Sequence, residues 1–163
     1  MEKVHGLIAY HISVSKRFEA GDVLRCGRRK NGVYRKYLLS VLNPFKSAKD
    51  RMRIKIQRGL ERVRKKYYRD LPSRFKVLFV FPERADCEEL LRRWRERGKR
   101  PGQLLVLRLD GFLHRCAHQN PSDSALSDGE IMRGLHDYWR GIGGTDEYLF
   151  AGTAIVVEAE ELL

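Results

Sequence analysis

Two acidic residues, Asp146 and Glu147, stand directly before a strongly apolar run near the end of the chain. They follow residues 141–144, where three glycines make a flexible loop that is not helical. Residues 148–157 have the β-branched, apolar character of a buried strand. A carboxylate at the mouth of a strand is partly desolvated and held by rigid backbone, so Glu147 could supply a fixed negative charge. The alternative is that both acids are ordinary turn residues.

A second chemical feature is a series of cations in residues 47–69. Apolar residues recur there at spacings of three and four, which predicts an α-helix with one packed face. They are Met52, Ile56, Leu60, Val63 and Tyr67. Cations recur with the same period on a separate face, at Arg51, Lys55, Arg58, Arg62, Lys66 and Arg69. Solvated helices normally mix charges, because like charges at this spacing repel. The pattern predicts either a face that binds DNA or RNA or a plain solvated face.

Metal chemistry has weaker support. His114, Cys116 and His118 alternate and would share one face of a strand. Their spacing matches no common zinc site, so we expect no metal. The cysteines are odd in number and form no Cys-x-x-Cys pair, which favours reduced, buried thiols over a disulfide framework.

Composition limits the class of protein. A formal net charge of +12 attracts polyanions, namely nucleic acid, anionic membrane or acidic protein. Hydrophobic residues make up 42% of the 163 residues, which suits one globular domain over 1–163. No apolar run reaches the roughly 18 residues of a membrane span, and the first residues lack the apolar core of a signal peptide. We expect a cytoplasmic protein without a membrane partner.

The predicted strands must position these residues. Both faces of the first are apolar, which predicts a central place in the sheet. Asp110 and Gly111 are a typical hairpin turn. The expected strands are residues 4–13, 23–26, 76–81, 103–109, 112–117 and 147–157.

Three helices are expected, at 47–69, 86–97 and 127–140. The packed face of the last carries Ile131, Leu135, Tyr138 and Trp139. Asp86 with Glu89, and Ser127 with Glu130, have the spacing of capping boxes. Residues 34–42 fit a strand or a helix, 119–127 a polar loop, and 158–163 an acidic tail. The pattern predicts an α+β fold: a compact mixed or antiparallel split β-sheet of five to six strands with three helices.

Three separated motifs carry a family resemblance: Tyr-His-Ile-Ser at 10–13, Pro-Ser-Arg-Phe at 72–75, and Glu-Tyr-Leu-Phe at 147–150. In order and placement they resemble the ADP-ribosyltransferase superfamily of the diphtheria-toxin and poly(ADP-ribose) polymerase type. In that superfamily a first-strand His, a mid-chain aromatic and a late Glu form a triad. The whole chain is also similar to a family of small bacterial and phage proteins with a Tyr-His-Ile start, a Leu-Pro-Ser-Arg-Phe segment and a Glu-Tyr-Leu-Phe-x-Gly ending.

The resemblance implies an ADP-ribosyltransferase-like fold and catalysis by Glu147 and His11, with NAD as a substrate. Cleavage of the nicotinamide–ribose bond passes through a transition state that gains positive charge at the ribose. Glu147 would hold the ribose 2′-hydroxyl and stabilise that charge, and His11 would bond the adenosine ribose. The NAD-binding residues implied are His11, Ser13, Ser73, Arg74, Phe81 and Tyr148.

One position departs from the family pattern, because residues 76–81 contain no tyrosine. Phe81 is the nearest ring for the middle position of the triad. Tyr34, Tyr37 and Tyr148 are the alternatives. The resemblance therefore leaves the middle residue open.

These observations lead to one main hypothesis: an NAD-dependent mono-ADP-ribosyltransferase, of bacterial or phage origin, that acts on nucleic acid or a nucleic-acid-associated target. The helix at 51–69 would bind the nucleic acid. A role as a toxin or in conflict between phage and bacteria, with a protein partner or antitoxin, fits the resemblance. The alternatives are a non-catalytic nucleic-acid-binding module on the same fold, an RNA 2′-phosphotransferase and an NAD hydrolase.

Overall fold

The computed structural model describes residues 1–100, 102–118 and 127–162. Within these ranges the protein is α+β, as the sequence predicts. The strands are β1 (Glu2–Ser13), β2 (Val23–Cys26), β3 (Leu78–Val80), β4 (Gln103–His118) and β5 (Thr145–Glu161). The helices are α1 (Gly32–Leu42), α2 (Ala48–Tyr67), α3 (Arg84–Glu96) and α4 (Asp128–Arg140). None of the described helices is long and apolar enough to cross a membrane.

The five described strands form one sheet in the order β1-β4-β5-β2, and β3 also pairs with β5. Every pairing is antiparallel. The sheet closes on itself because Tyr10 and Phe81 exchange two backbone hydrogen bonds of 2.8 Å, which join β1 to the end of β3. The expected split into two sheets is absent among these strands. In the strand order β1 stands at the end, where the sequence predicts a central strand; its other edge pairs at Tyr10 with Phe81.

The predicted hairpin at Asp110 and Gly111 is also wrong, because both residues lie inside the continuous strand β4. Gly111 faces Gly152 across the β4–β5 pair. A Cβ atom on Gly111 would lie only 2.4 Å from the carbonyl oxygen of Ala151. Close approach of the neighbouring strand requires glycine here. Asp110 instead makes a 2.9 Å hydrogen bond with the ring of His5.

Four helices are described rather than the predicted three, because residues 32–42 are helical. The side chain of Asn31 caps this helix by accepting hydrogen bonds from the backbone N–H groups of Val33 and Tyr34. Such a cap satisfies N–H groups that a helix leaves unpaired at its start. An asparagine before the ambiguous segment was therefore the signal for a helix.

Capping boxes fix the starts of two helices. The predicted box of Ser127 and Glu130 at α4 is confirmed. A second box, Ser47 with Asp50, begins α2. The predicted box of Asp86 and Glu89 is wrong, because α3 begins earlier and has no side-chain cap. Asp86 lies in the first turn, where a carboxylate interacts favourably with the helix dipole.

The end of the chain is a strand rather than the predicted acidic tail. Residues 158–161 continue β5 and pair with β4, from Glu158 opposite Val106 to Glu161 opposite Gln103. The predicted polar loop at 119–127 lies, apart from Ser127, outside the described residues. β4 and β5 are thus long neighbouring strands that reach from one end of the sheet to the other.

Buried apolar residues form two clusters that matter for the site. We call the first the inner cluster; it is formed by residues of the sheet and includes Ala9, Leu105, Leu107, Phe150 and Ala154. We call the second the helix cluster; it packs α2 and α4 against the sheet and includes Leu60, Val63, Cys116, Trp139 and Leu149. A third, smaller group joins α3 to β1 and β4. Tyr67, predicted to lie on the packed face of α2, is 55% exposed.

Candidate functional site

Glu147 lies at the start of β5, as predicted, and is held by two partners. The guanidinium Nη2 of Arg74 lies 3.1 Å from each of its carboxylate oxygens. The hydroxyl of Tyr138 on α4 donates a short hydrogen bond to Oε2. The Glu147 side chain keeps 21% of its surface exposed. The chain therefore fixes a carboxylate whose position is set by two other elements and which still reaches solvent.

Arg74 is the buried centre of this group, with only 7% of its side chain exposed. Its Nη1 donates a 3.0 Å hydrogen bond to Gln57 on α2. Its guanidinium also lies 4.9 Å from the centre of the Tyr138 ring, a distance typical of cation–π contact. Its Nε has no hydrogen-bond partner among the described residues. We call Arg74, Glu147, Tyr138 and Gln57 the buried ion cluster.

Electrostatics keep this cluster charged and its tyrosine protonated. Burial alone would lower the pKa of Arg74, but Tyr138 and Glu147 hold that pKa above its ordinary value. Burial raises the pKa of Tyr138 well above the usual range, so the hydroxyl stays a donor. The neighbouring Cys116 thiol has its pKa raised to about 12 by burial, which leaves it protonated and unreactive at neutral pH.

His11 is partly buried and bonded to the backbone of a neighbouring strand. Its Nδ1 donates a 2.8 Å hydrogen bond to the backbone carbonyl of Phe79, which fixes the tautomer with Nε2 as an acceptor. Burial lowers the pKa of His11, so the ring is neutral at pH 7. A neutral ring bonded to backbone is the arrangement expected of a structural histidine.

His11 and Glu147 lie on opposite faces of the sheet. Cross-strand partners share a face, and His11 faces Leu105, a member of the inner cluster. Glu147 faces Cys116, a member of the helix cluster. The structure therefore does not bring together the two residues that the sequence assigns to one catalytic centre.

The other predicted NAD-binding residues are also dispersed. The Ser13 hydroxyl is buried and donates to the carbonyl of Lys16 at 2.7 Å. The Ser73 hydroxyl donates to Glu61 on α2 at 3.0 Å. Phe81 bridges to β1 and packs toward α3, whereas Tyr148 packs against the inner cluster. Among the predicted catalytic and NAD-binding residues, Arg74 and Glu147 are the pair whose side chains the structure joins directly.

The alternating residues of β4 have other partners. His114 Nε2 donates to the carbonyl of Trp139 at 3.0 Å, and Cys116 packs in the helix cluster. In the described ranges, no group of three or more His, Cys, Asp or Glu residues could hold a metal ion. These residues contribute packing and hydrogen bonds between β4 and α4.

The predicted cations of α2 and the turn after it do form one surface. All six are exposed, and we call them the cationic face: Arg51, Lys55, Arg58, Arg62, Lys66 and Arg69. Lys65 is exposed as well and lies on the same side of the helix. The face runs for about 22 Å from residue 51 to residue 66, at about 1.5 Å per residue.

The acids of α2 leave this face uncompensated. Asp50 lies 3.7 Å from Arg53, and Glu61 lies 2.7 Å from Arg64. Arg53 and Arg64 are on the inner side of the helix, with 34% and 14% of their side chains exposed. In the part of the chain that the structure describes, the acid that pairs with the cationic face is Asp128, 3.2 Å from Lys55.

Further cations gather at the N-terminal end of α2. Partial burial lowers the pKa of Lys99, and the like charges of Lys36, Arg97 and Lys49 lower it further. These cations come from α1, α2 and the end of α3. Positive charges from three parts of the chain therefore act on Lys99.

Sequence reasoning missed two roles. Tyr138 was assigned only to the packed face of α4, although its hydroxyl anchors Glu147; a tyrosine at a core position needs a polar partner, which was the available signal. The pairing of Arg53 with Asp50 and of Arg64 with Glu61 was not predicted. The spacing of three residues within each pair was the signal for it.

Comparison with known proteins gives one family. A family model described as "Protein of unknown function (DUF2441)" matches residues 45–161, more than half of the chain. The matched range contains α2, Arg74 and Glu147, and begins after β1 with His11. No curated protein matches the chain.

Proposed function

The chain belongs to the DUF2441 family, and for this member we propose a nucleic-acid-binding function carried by the cationic face. The observation on which this rests is the pairing within α2. Asp50 and Glu61 pair with the inward-turned Arg53 and Arg64. The two acids therefore do not neutralise the outward cations, which stay available to an external partner. Arginine and lysine in such a stripe bind phosphate, and arginine binds two oxygens at once.

The dimensions of the face suit a phosphate backbone. Phosphates of one strand follow at about 3.4 Å along a duplex, so about 22 Å of helix spans roughly six of them. The formal net charge of +12 adds a long-range attraction that raises the rate of encounter. Contacts of this kind fix position and carry little sequence information.

The test is a salt titration with labelled 20-mer DNA and RNA, single- and double-stranded, followed by fluorescence anisotropy. Log Kobs should fall linearly with log salt, with a slope of about −0.9 for each duplex phosphate contacted. An affinity that is the same at low and high salt for all four ligands would rule out phosphate contact by this face.

A charge-matched pair of variants locates the contact. Lys65→Glu with Lys66→Glu should weaken binding by about tenfold or more, because two phosphate contacts become repulsive. Arg92→Glu with Arg93→Glu makes the same change in net charge on α3, where both arginines pair with Glu89. Equal losses in the two variants would assign binding to total charge rather than to α2.

ADP-ribosyl transfer from NAD is a second candidate, which the fixed, partly exposed carboxylate of Glu147 favours. A carboxylate of this kind stabilises positive charge that develops at a ribose. The position of His11 on the other face of the sheet opposes a shared NAD cleft. NAD chemistry therefore stays a prediction.

Turnover of etheno-NAD in the presence of DNA, RNA and protein acceptors tests this candidate. Activity in the wild type that is lost in Glu147→Gln would support it. Background signal from both proteins with every acceptor would remove it and leave the nucleic-acid proposal intact.

A further inference from the structure

A groove of about 570 Å³ lies over α2, between the end of α1 and α4. Its lining is largely apolar, from Val41, Ile54, Val63, Ile131, Met132 and Leu135. Met132 keeps 46% of its surface exposed. An apolar groove open to solvent marks a place where another apolar surface can be buried.

The same groove carries a strong positive charge. Arg51, Lys55, Arg58 and Arg62 line it, and Asp128 is the acid that lines it within the described residues. Lys55 is paired with Asp128, and Arg58 donates to the hydroxyl of Tyr37. Arg51 and Arg62 have no acid partner in the described chain. An occupant must therefore be apolar on one side and acidic at its edges.

The length of the groove suits a short helix. The lining residues of α2 run from Arg51 to Val63, about 18 Å at 1.5 Å per residue. A helix of about three turns has the same length and presents apolar side chains at i, i+3 or i+4, and i+7. The groove thus offers apolar contact along its length and cations for acidic flanks.

Two other occupants fit less well. No aromatic residue lines the groove in the part of the chain that the structure describes, so unpaired bases would find no ring on which to stack. A second copy of this chain would bring its own net charge of +12. Its acidic segment at 158–161 is already paired with β4, and Glu160 bonds Arg84.

We propose that this groove binds an acidic amphipathic helix of a partner protein. Because four cations of the groove belong to the cationic face, the bound helix competes with nucleic acid for that face. This competition rests on the proposed nucleic-acid binding, whereas binding of the helix itself does not.

A synthetic helical peptide serves as the probe. It carries leucines at i, i+3 and i+7 spacing over about three turns and glutamates at the other positions. Two controls carry the same charge: a scrambled peptide of the same composition and polyglutamate of equal length. We expect the patterned peptide to bind at least about tenfold more tightly than either control, because burial of its leucines adds to charge attraction. Equal affinity of the three peptides overturns the proposal.

Matched variants separate the groove from the rest of the cationic face. Met132→Asp places a carboxylate among the apolar contacts and should weaken peptide binding about tenfold or more. Leu39→Asp is the control: Leu39 is 61% exposed and lies two residues, about 200° of helix, from Val41. Lys65→Glu with Lys66→Glu should change the affinity for the peptide by less than about threefold, because neither lysine lines the groove and long-range attraction is screened.

The same variants show whether nucleic acid and the peptide need the same residues. We expect Met132→Asp to weaken DNA and RNA binding by no more than severalfold, as the change of one charge does, while peptide binding falls about tenfold or more. If Met132→Asp loses nucleic acid and the wild type does not bind the peptide, the groove is part of a nucleic-acid interface and the proposal is wrong. Arg62→Glu, on the exposed side of α2, repeats the peptide test should Met132→Asp fail to fold; unchanged affinity there also overturns the proposal.

Discussion

The buried ion cluster and the cationic face both contain arginine, but the arginine is buried and paired in the first and exposed in the second. Arg74 is almost fully buried and bonds Glu147, Gln57 and the ring of Tyr138. Arg51 and Arg62, by contrast, are exposed on α2 and have no acid partner within the described ranges. The two regions are joined by α2 itself, because Gln57 lies on the same helix as the exposed cations.

The difference concerns where each charge finds its partner. A buried guanidinium must be satisfied inside the protein, since removing one partner leaves an uncompensated charge. An exposed one costs little when unpaired and remains available for phosphate or carboxylate from outside. The buried ion cluster therefore holds elements in place, and the cationic face is the place to seek a ligand. Four measurements test that contrast.

The largest effect is expected from Glu147→Ala. The change leaves Arg74 buried without its counter-ion and Tyr138 without its acceptor, so the free energy of unfolding should fall by about 3 kcal/mol. Urea denaturation measures this. A double variant, Arg74→Met with Glu147→Leu, should recover part of the loss, because no charge is then left unpaired.

If Glu147→Ala is as stable as the wild type, the buried ion cluster does not stabilise the fold. A catalytic role for Glu147 would then be favoured, and the etheno-NAD assay would become the decisive experiment.

A smaller effect is expected from the single change Arg62→Gln on the cationic face. Loss of one phosphate contact should weaken nucleic-acid binding severalfold and make the slope of log Kobs against log salt shallower by about 0.9. The free energy of unfolding should stay within about 0.5 kcal/mol of the wild type, as for other exposed positions. A large loss of stability would mean that the contrast between the two regions is false.

The pH dependence of stability should reveal that His11, which is partly buried, is neutral in the folded protein. Burial lowers the pKa of His11 in the folded state. In the unfolded chain the same histidine has a pKa of about 6.5. Between these values the unfolded state binds more protons, so the free energy of unfolding falls as the pH drops below about 6.5. Thermal unfolding from pH 8 to pH 5 should show this fall.

The variant His11→Asn should make that dependence weaker, though not remove it. Burial also lowers the pKa of His114. Its protonation therefore likewise lowers the free energy of unfolding as the pH falls. A variant with the full wild-type pH dependence would show that His11 is not the group responsible.

The smallest effect is expected from Asp128→Ala. The pair with Lys55 is highly exposed, with 94% of the Asp128 side chain in solvent, so the free energy of unfolding should change by less than about 0.5 kcal/mol. Removal of the acid leaves Lys55 free, which should strengthen nucleic-acid binding slightly. Weaker binding would exclude Lys55 from the interface.

Local patterns predicted much of the scaffold. The spacing of Leu60 and Val63 placed α2 and its buried side correctly, and Ser127 with Glu130 placed the start of α4. Both depend on interactions within a few residues, which the sequence displays directly. The exposure of the six cations followed from the same helical period.

Long-range contacts decided the points that sequence reasoning missed. Asp110 and Gly111 have the local signature of a turn, but Gly152, distant in sequence, requires an extended backbone there. The partners of Glu147 likewise come from a loop and from α4. The opposite faces of His11 and Glu147 depend on the sheet register, which a motif in the sequence does not specify.

The pairing of β1 with β4 has a consequence for synthesis of the chain. His5 and Asp110 are 105 residues apart yet contact each other across this pair. At about 5–20 residues per second, β1 leaves the ribosome roughly 5–20 s before β4. During that interval its N–H and C=O groups lack their sheet partner, which is the condition under which strands aggregate. Because this pair joins distant parts of the chain, the contact order is high and folding should be slow. In the cell, chaperones should be needed to protect the unpaired β1 until β4 is made.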